Sequence, residues 1–270
     1  MRRHHSIVLV PILLMAALLA GCSHSTDRPG FGTLNVRMTD APGDFQKVNL
    51  VITQVSVRMA GGAMGAAADS DSTSWVVLSN STATYDLLTL QNGVFTTIGT
   101  GQVPAGHYTQ VRLKIGAGSN IVVDGTTYPL TVPSGAQTGL KLIGPFDVPE
   151  NGTIDLALDF DAARSIILTG GGTYMLKPTV KVMPISTAGA ITGQVEPAGT
   201  ATTIYAIQAP DTVGSTTAAG DGHFTIGVLA AGTYSVAFHP ATGYRDTTLT
   251  GVAVTAHNTT DVGTVQLTAQ

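Results

Sequence analysis

The chain has 270 residues, enough for one large domain or two ordinary ones, and carries a formal charge of −4. Only 11% of its residues are charged while 43% are hydrophobic. That balance excludes a disordered chain and leaves too few charges for the polar faces of a helical bundle, and no basic stripe is present for nucleic acid, which is not expected as a partner.

The first element is a leader. In "MRRHHSIVLVPILLMAALLAGCSHS", Arg2 and Arg3 precede an apolar run from Ile7 to Leu19. Such a run is too short to span ~30 Å of hydrocarbon and reads as the core of a signal peptide, residues 1–21. Leu19-Ala20-Gly21-Cys22 resembles the bacterial lipobox, and the resemblance implies cleavage before Cys22 and a diacylglycerol on its sulfur. Cys22 is the only cysteine in the chain, which a lipid-modified thiol accounts for and a disulfide does not. Acyl chains at ~0.8 kcal/mol per buried CH₂ then hold the protein on a membrane without a spanning segment. Residues 22–31 form the lipidated tether, polar with Pro and Gly. Ser23, where enteric sorting signals for the inner membrane place Asp, points by resemblance to the outer membrane of a bacterial envelope. Without Arg2 and Arg3 the mature charge falls to −6.

Strand signals follow without interruption. In "GTLNVRMTD", Leu34, Val36 and Met38 alternate with polar residues, the period of a half-buried strand. In "KVNLVITQVSVRM" the apolar parity passes from Val48, Leu50 and Ile52 to Val55, Val57 and Met59, which predicts a bulge near Thr53-Gln54. "AGGAMGAAADSDSTS" reads as a loop of small residues. Asp124-Gly125 in "NIVVDGTTYPL" predicts a tight hairpin. "GTIDLALDFDA" alternates Leu156, Leu158 and Phe160 with Asp155, Ala157, Asp159 and Asp161, and "DAARSIIL" allows one helical turn. After "PISTAGA", strand runs recur at about ten-residue spacing, as in a sandwich. The predicted fold is all-β: two β-sandwich domains, immunoglobulin- or transthyretin-like, at 32–184 and 190–270, with a linker at 185–189.

One signature occurs twice, in "VPAGHYTQVRL" and in "LAAGTYSVAFH". Gly frees the chain to turn and a Tyr opens the next strand. Tyr234, Val236 and Phe238 share one face, whereas parity puts Tyr108 opposite Val111, Leu113 and Ile115. The shared turn is thus a common way into a strand and poor evidence of duplication.

Residues 190–268, with "ITGQV", "AAGDGHFTIGVLAAGTYSVAFHPATGY" and "VAVTAHNTTDVGTVQLT", resemble carboxypeptidase regulatory-like modules, which are transthyretin-like. The resemblance implies a seven-stranded sandwich acting as a spacer or accessory binder. Residues 190–270 contain no Lys, so the isopeptide bond of related adhesin repeats is excluded. Residues 31–184 resemble the lipoprotein family of domain of unknown function 4382, through "GTLNVRMTDAPGDFQKVNLVITQVSV", "YDLLTL", "VPAGHYTQVRL", "LDFDAARSI" and "YMLKPTVKV". That resemblance implies an extracytoplasmic, lipid-anchored, β-rich protein and no particular activity.

Catalytic constellations are absent, and no catalytic residue is assigned. The two Glu, Glu150 and Glu196, fall in different predicted domains, and no His-Glu-x-x-His or Gly-x-Ser-x-Gly motif occurs. His107, His223, His239 and His257 are scattered, and His223 with His239 make a metal pair only on neighbouring strands. "TGGGT" reads as a turn. The candidate metal set is Asp155, Asp159 and Asp161, joined by Asp40 if its loop lies nearby, because hard carboxylate oxygens on one strand face suit Ca²⁺. No other cofactor is expected, and the plainer reading is a charged edge that discourages strand pairing. For sugar binding the candidate is Tyr244, next to Gly243 in a predicted loop, while Trp75 in "WVVL" reads as core. The expected function is a non-catalytic, lipid-anchored envelope protein with a structural, adhesive or protein-binding role. The alternative is a carbohydrate-binding lipoprotein for a surface or cell-wall polysaccharide.

Overall fold

The computed structural model describes residues 30–41, 43, 45–61, 75–133, 138–241 and 243–270. The leader, Cys22, most of the tether and most of the small-residue loop lie outside the described residues. The first half supplies β1 (Phe31–Ala41), β2 (Lys47–Met59), β3 (Trp75–Ser79), β4 (Ala83–Asp86), β5 (Thr96–Pro104), β6 (Gly106–Ile115) and β7 (Asn120–Val123). Next come β8 (Thr126–Thr131), β9 (Leu140–Val148), β10 (Thr153–Asp161), the helical turn α1 (Ala162–Ser165), β11 (Ile166–Leu168), β12 (Tyr174–Leu176) and β13 (Val180–Pro184). After a 3₁₀ turn at Ile185–Thr187 the chain adds β14 (Gly189–Glu196), β15 (Thr202–Gln208), β16 (Asp211–Thr217) and β17 (His223–Leu229). It ends with β18 (Gly232–Pro240), β19 (Thr247–Val254) and β20 (Thr259–Gln266).

The protein is all-β. One sheet runs β13-β10-β1-β5 and a second runs β11-β12-β8-β7-β2-β6-β9, with β3 and β4 also pairing to β2. The alternation in β1 works as expected: Leu34, Val36 and Met38 are fully buried and meet Leu156, Leu158 and Phe160 of β10 and Val48, Leu50, Val55 and Val57 of β2 in one core. β1 and β10 lie parallel, with Thr39 opposite Asp159 and Asp40 opposite Phe160. The register of β2 against β6 slips between Ile52 and Gln54, at the parity change in the sequence. Asp124 (φ 48°) and Gly125 (φ 74°) close the β7–β8 hairpin in left-handed backbone, as that dipeptide does best. Asp161 caps α1.

β14 to β20 form a second sandwich, of sheets β17-β14-β20 and β16-β15-β18-β19, and among the described residues no sheet is shared with the first. Its separate core holds Ile191, Ile204, Phe224, Tyr234, Val236 and Phe238.

The twin signature turns out to be one device. Tyr108 Oη donates to Pro104 O at 2.7 Å and Tyr234 Oη donates to Ala230 O at 2.6 Å, each four residues upstream. Each is a tyrosine corner, with a buried ring and a hydroxyl that satisfies the carbonyl of the turn. The parity reading of Tyr108 needs correction. β6 carries one extra residue against β2, whose adjacent Met59 and Arg58 pair with Tyr108 and Gln110, and this turns the ring onto the same side as Val111 and Leu113, where it stacks on Phe146 at 5.3 Å. The glycines also differ. Gly106 has φ 144°, a value open to Gly alone, whereas at Gly232 a Cβ would meet first the movable end of Gln208, 2.9 Å away at Nε2.

Candidate functional site

The aspartates of β10 leave the strand on one side, and each meets its own partner. Asp155 Oδ1 accepts from Asn35 Nδ2 at 2.8 Å and its Oδ2 lies 3.4 Å from Arg37. Asp159 Oδ2 lies 3.3 Å from Lys181 Nζ on the neighbouring strand β13. Asp161 turns to α1, accepting from Arg164 N at 2.9 Å, with its other oxygen 3.8 Å from that guanidinium. Three separate cations therefore hold the three carboxylates. Among the described residues no three His, Cys, Asp or Glu side chains stand close enough to share a metal, so Asp155, Asp159 and Asp161 are not brought together as one ligand set.

The middle of this face is not open to solvent, because the second sandwich covers it. Lys181 Nζ donates across the seam to Val213 O at 2.7 Å and Val228 O at 2.9 Å, which with Asp159 accounts for its three protons. Val228 has φ 54°, an unfavourable region for a β-branched residue, and its carbonyl is one of those Lys181 holds. Arg164 donates to Thr212 O at 3.3 Å. Elsewhere on the same side of the seam stands Asn92, itself left-handed at φ 56° in the turn before β5. Its Nδ2 donates to Thr217 O at 3.0 Å, and its Oδ1 accepts from Thr216 Oγ1 at 2.8 Å and from Thr225 N at 3.1 Å.

Asp40 lies behind this joint, 5% exposed, with Oδ1 accepting from Ala162 N at 3.1 Å and Oδ2 without a partner. Burial, reinforced by the negative charge of Asp159, pushes its carboxyl up to about 9. Burial also raises Asp159, against the pull of Lys181 in the other direction.

Other candidates are placed less suggestively. Tyr244 is partly buried against the second core, paired by one bridge to Ala269, and its carbonyl accepts from Gln270 Nε2 at 3.0 Å. Trp75 is 7% exposed, with the Arg112 guanidinium 4.2 Å over its ring. His223 on β17 and His239 on β18 belong to opposite sheets of their sandwich, so they are not the neighbouring pair a metal would need. His107 and His239 instead lie 2.8 and 2.9 Å from Asp147 and Asp246. Cys22 is outside the described residues.

Sequence reading passed over Lys181 and Asn92. Lys181 had a signal, a lone cation between Val180 and Val182 in an otherwise apolar strand. Asn92-Gly93 had the composition of a turn, which says nothing of what the side chain reaches.

A cohesin–X-dockerin complex from Acetivibrio cellulolyticus is similar at 24% identity over 31% of this chain and 58% of that one, with a TM-score of 0.25. The TIE protein of Bacillus anthracis is similar at 11% identity over 88% of this chain and 34% of that one, with a TM-score of 0.23. This chain thus spans less than two thirds of the length of either. The minor pilin GBS52 of Streptococcus agalactiae is similar at 12% identity over 87% and 96% of the two chains, with a TM-score of 0.23. No curated protein matches. The family model "Domain of unknown function (DUF4382)" matches residues 31–178, more than half of the chain, and spans β1 to β12 with the Asp40 and β10 carboxylates. The protein belongs to the DUF4382 family.

Proposed function

We propose that this protein is a non-catalytic, lipid-anchored component of a bacterial cell envelope, held on the outer membrane through Cys22, that serves a structural or adhesive role by binding envelope proteins. The observation that carries the proposal is the joint. Lys181, Arg164 and Asn92 of the first sandwich make six hydrogen bonds to the second. A body that presents a surface away from a membrane needs such a connection, because a free linker lets the outer module reorient. The ionisable side chains support the same reading. Asp155, Asp159, Asp161, His107 and His239 are spent on separate pairs, so the convergence of acid, base and nucleophile that hydrolysis requires is missing among them.

Two measurements test the proposal. In the bacterial host, Cys22→Ala is expected to move the protein from the membrane fraction to the soluble one. Retention of the lipid-free chain Ser23–Gln270 on isolated envelope fractions is expected to survive excess soluble saccharide and to be lost when envelope proteins are digested. Release by saccharide, with weakened retention for Tyr244→Ala, would replace this reading with recognition of a surface or cell-wall polysaccharide.

A further inference from the structure

A cleft of about 540 Å³ opens between the two sandwiches, walled by Phe45, Gln46 and Gln91 of the first and Thr203, Thr217 and His239 of the second. That volume falls within the ~300–1,000 Å³ of small-ligand sites, which favour junctions of this kind. The second wall follows from β-register. Thr203 on β15 lies opposite Thr217 on β16 and His239 on β18, so the three form one row on the face whose reverse, at Thr202 and Ile204, is fully buried. Neighbours in such a row stand about 5 Å apart. The joint sets the opposite wall, because Gln91 adjoins Asn92, whose Nδ2 donates to Thr217 O. The cleft is therefore held in shape before anything enters it.

The chemistry of the walls points to the ligand. Among the described residues the Thr203 and Thr217 hydroxyls and the Gln91 side-chain amide make no hydrogen bond within the protein, and Gln46 engages only its Oε1, with Gly125 N. His239 is held at Nδ1 by Asp246, 2.9 Å away, and Tyr205 stands edge-on to its ring at 5.3 Å. His239, so paired, is the one ionisable side chain among the described wall residues, which leaves little hold for an ionic ligand. Strand addition by a peptide is closed, since β15 already pairs on both sides, with β16 and β18. We propose that this cleft is a saccharide-binding site, taking a neutral oligosaccharide whose hydroxyls meet Gln46, Gln91, Thr203 and Thr217 and whose C–H face lies on Phe45. A sugar ring makes both demands at once, with hydroxyls that exchange hydrogen bonds with amides and hydroxyls and an apolar face that packs on an aromatic ring. Each sandwich supplies half of the site, so it exists only while the joint holds. Tyr244 has no part in its walls. The site goes beyond the protein-binding reading and stands apart from it, because retention through envelope proteins neither needs the cleft nor excludes it.

The test probes the lipid-free chain Ser23–Gln270 with an array of neutral oligosaccharides of hexoses and N-acetylhexosamines, and measures each hit by calorimetry. At least one is expected to bind, with an affinity indifferent to salt. Gln91→Ala and Thr203→Val, both at partly exposed positions, are each expected to weaken that binding about tenfold, and Tyr244→Ala to leave it unchanged. Asn92→Ala is expected to weaken it at least as much with the folded far-UV spectrum retained, because the two walls part. A silent array, with the chain shown to be folded, would overturn the proposal. So would binding that salt abolishes, which marks a charged ligand, or binding untouched by Gln91→Ala and Thr203→Val, which places the saccharide elsewhere.

Discussion

Asp40 is neutral where most aspartates are charged, and the sign of its effect on stability follows. Its folded value, about 9, stands above the ordinary 3.8, so the folded state holds a proton that the unfolded chain has released. The corresponding stabilisation is complete below the unfolded value and is lost as pH rises through the folded one. Urea unfolding is expected to show stability falling from about pH 5 to about pH 8, by up to about 1.4 kcal/mol per unit. Asp40→Asn, neutral throughout, is expected to flatten that slope, and an unchanged slope would place the proton elsewhere. At this scale Asp159 was legible, as a charged residue within an apolar strand that needs a partner. Asp40, read as part of a loop, lies in β1 instead, and Lys181 was passed over. Which partners they take was hidden, because Asp159 and Lys181 are 22 residues apart and meet only through β-pairing.

Among the elements, the two tyrosine corners show how a turn and a strand are joined. The Tyr hydroxyls answer the carbonyls of half-buried Pro104 and exposed Ala230, and each bond ties its buried ring to the turn before the strand. Tyr108→Phe and Tyr234→Phe are each expected to cost about 1 kcal/mol in chemical denaturation, with the folded spectrum retained. The bulge in β2 was legible because apolar residues flank it on both sides and the parity visibly changes. The bulge in β6 was not. Only Tyr108 precedes it, so there was no earlier run against which a change of phase could register. The hairpin at Asp124-Gly125 and the turn of α1 were legible for the opposite reason, since both depend on neighbouring residues alone.

Across the whole molecule the decisive contact is Asn92. One side chain satisfies a carbonyl, a hydroxyl and an amide of the second sandwich. Asn92→Ala leaves those groups to water or unpaired and removes the coupling between two separate cores. The wild-type chain is expected to melt in one calorimetric transition and Asn92→Ala in two, the lower at least a few degrees below the parent. One unbroken transition in the variant would show that the remaining contacts suffice.

The all-β class, the alternating strands of both cores and the tight hairpin were readable from residue order. Each rests on period-2 burial or on the backbone preferences of Gly, Asp and Asn, which act over a few residues. The carboxylates of β10 show the limit. Their chemistry and common side were plain in the sequence, and they looked like a solvent-facing row. Folding gave each a different cation, drew Asp40 in beside Asp159 and laid the second sandwich over the middle of the face. Periodicity tells which side of a strand avoids the core of its own sandwich. Whether another part of the chain then covers that side depends on contacts between residues far apart in sequence, and these arise only when the sheets and sandwiches assemble.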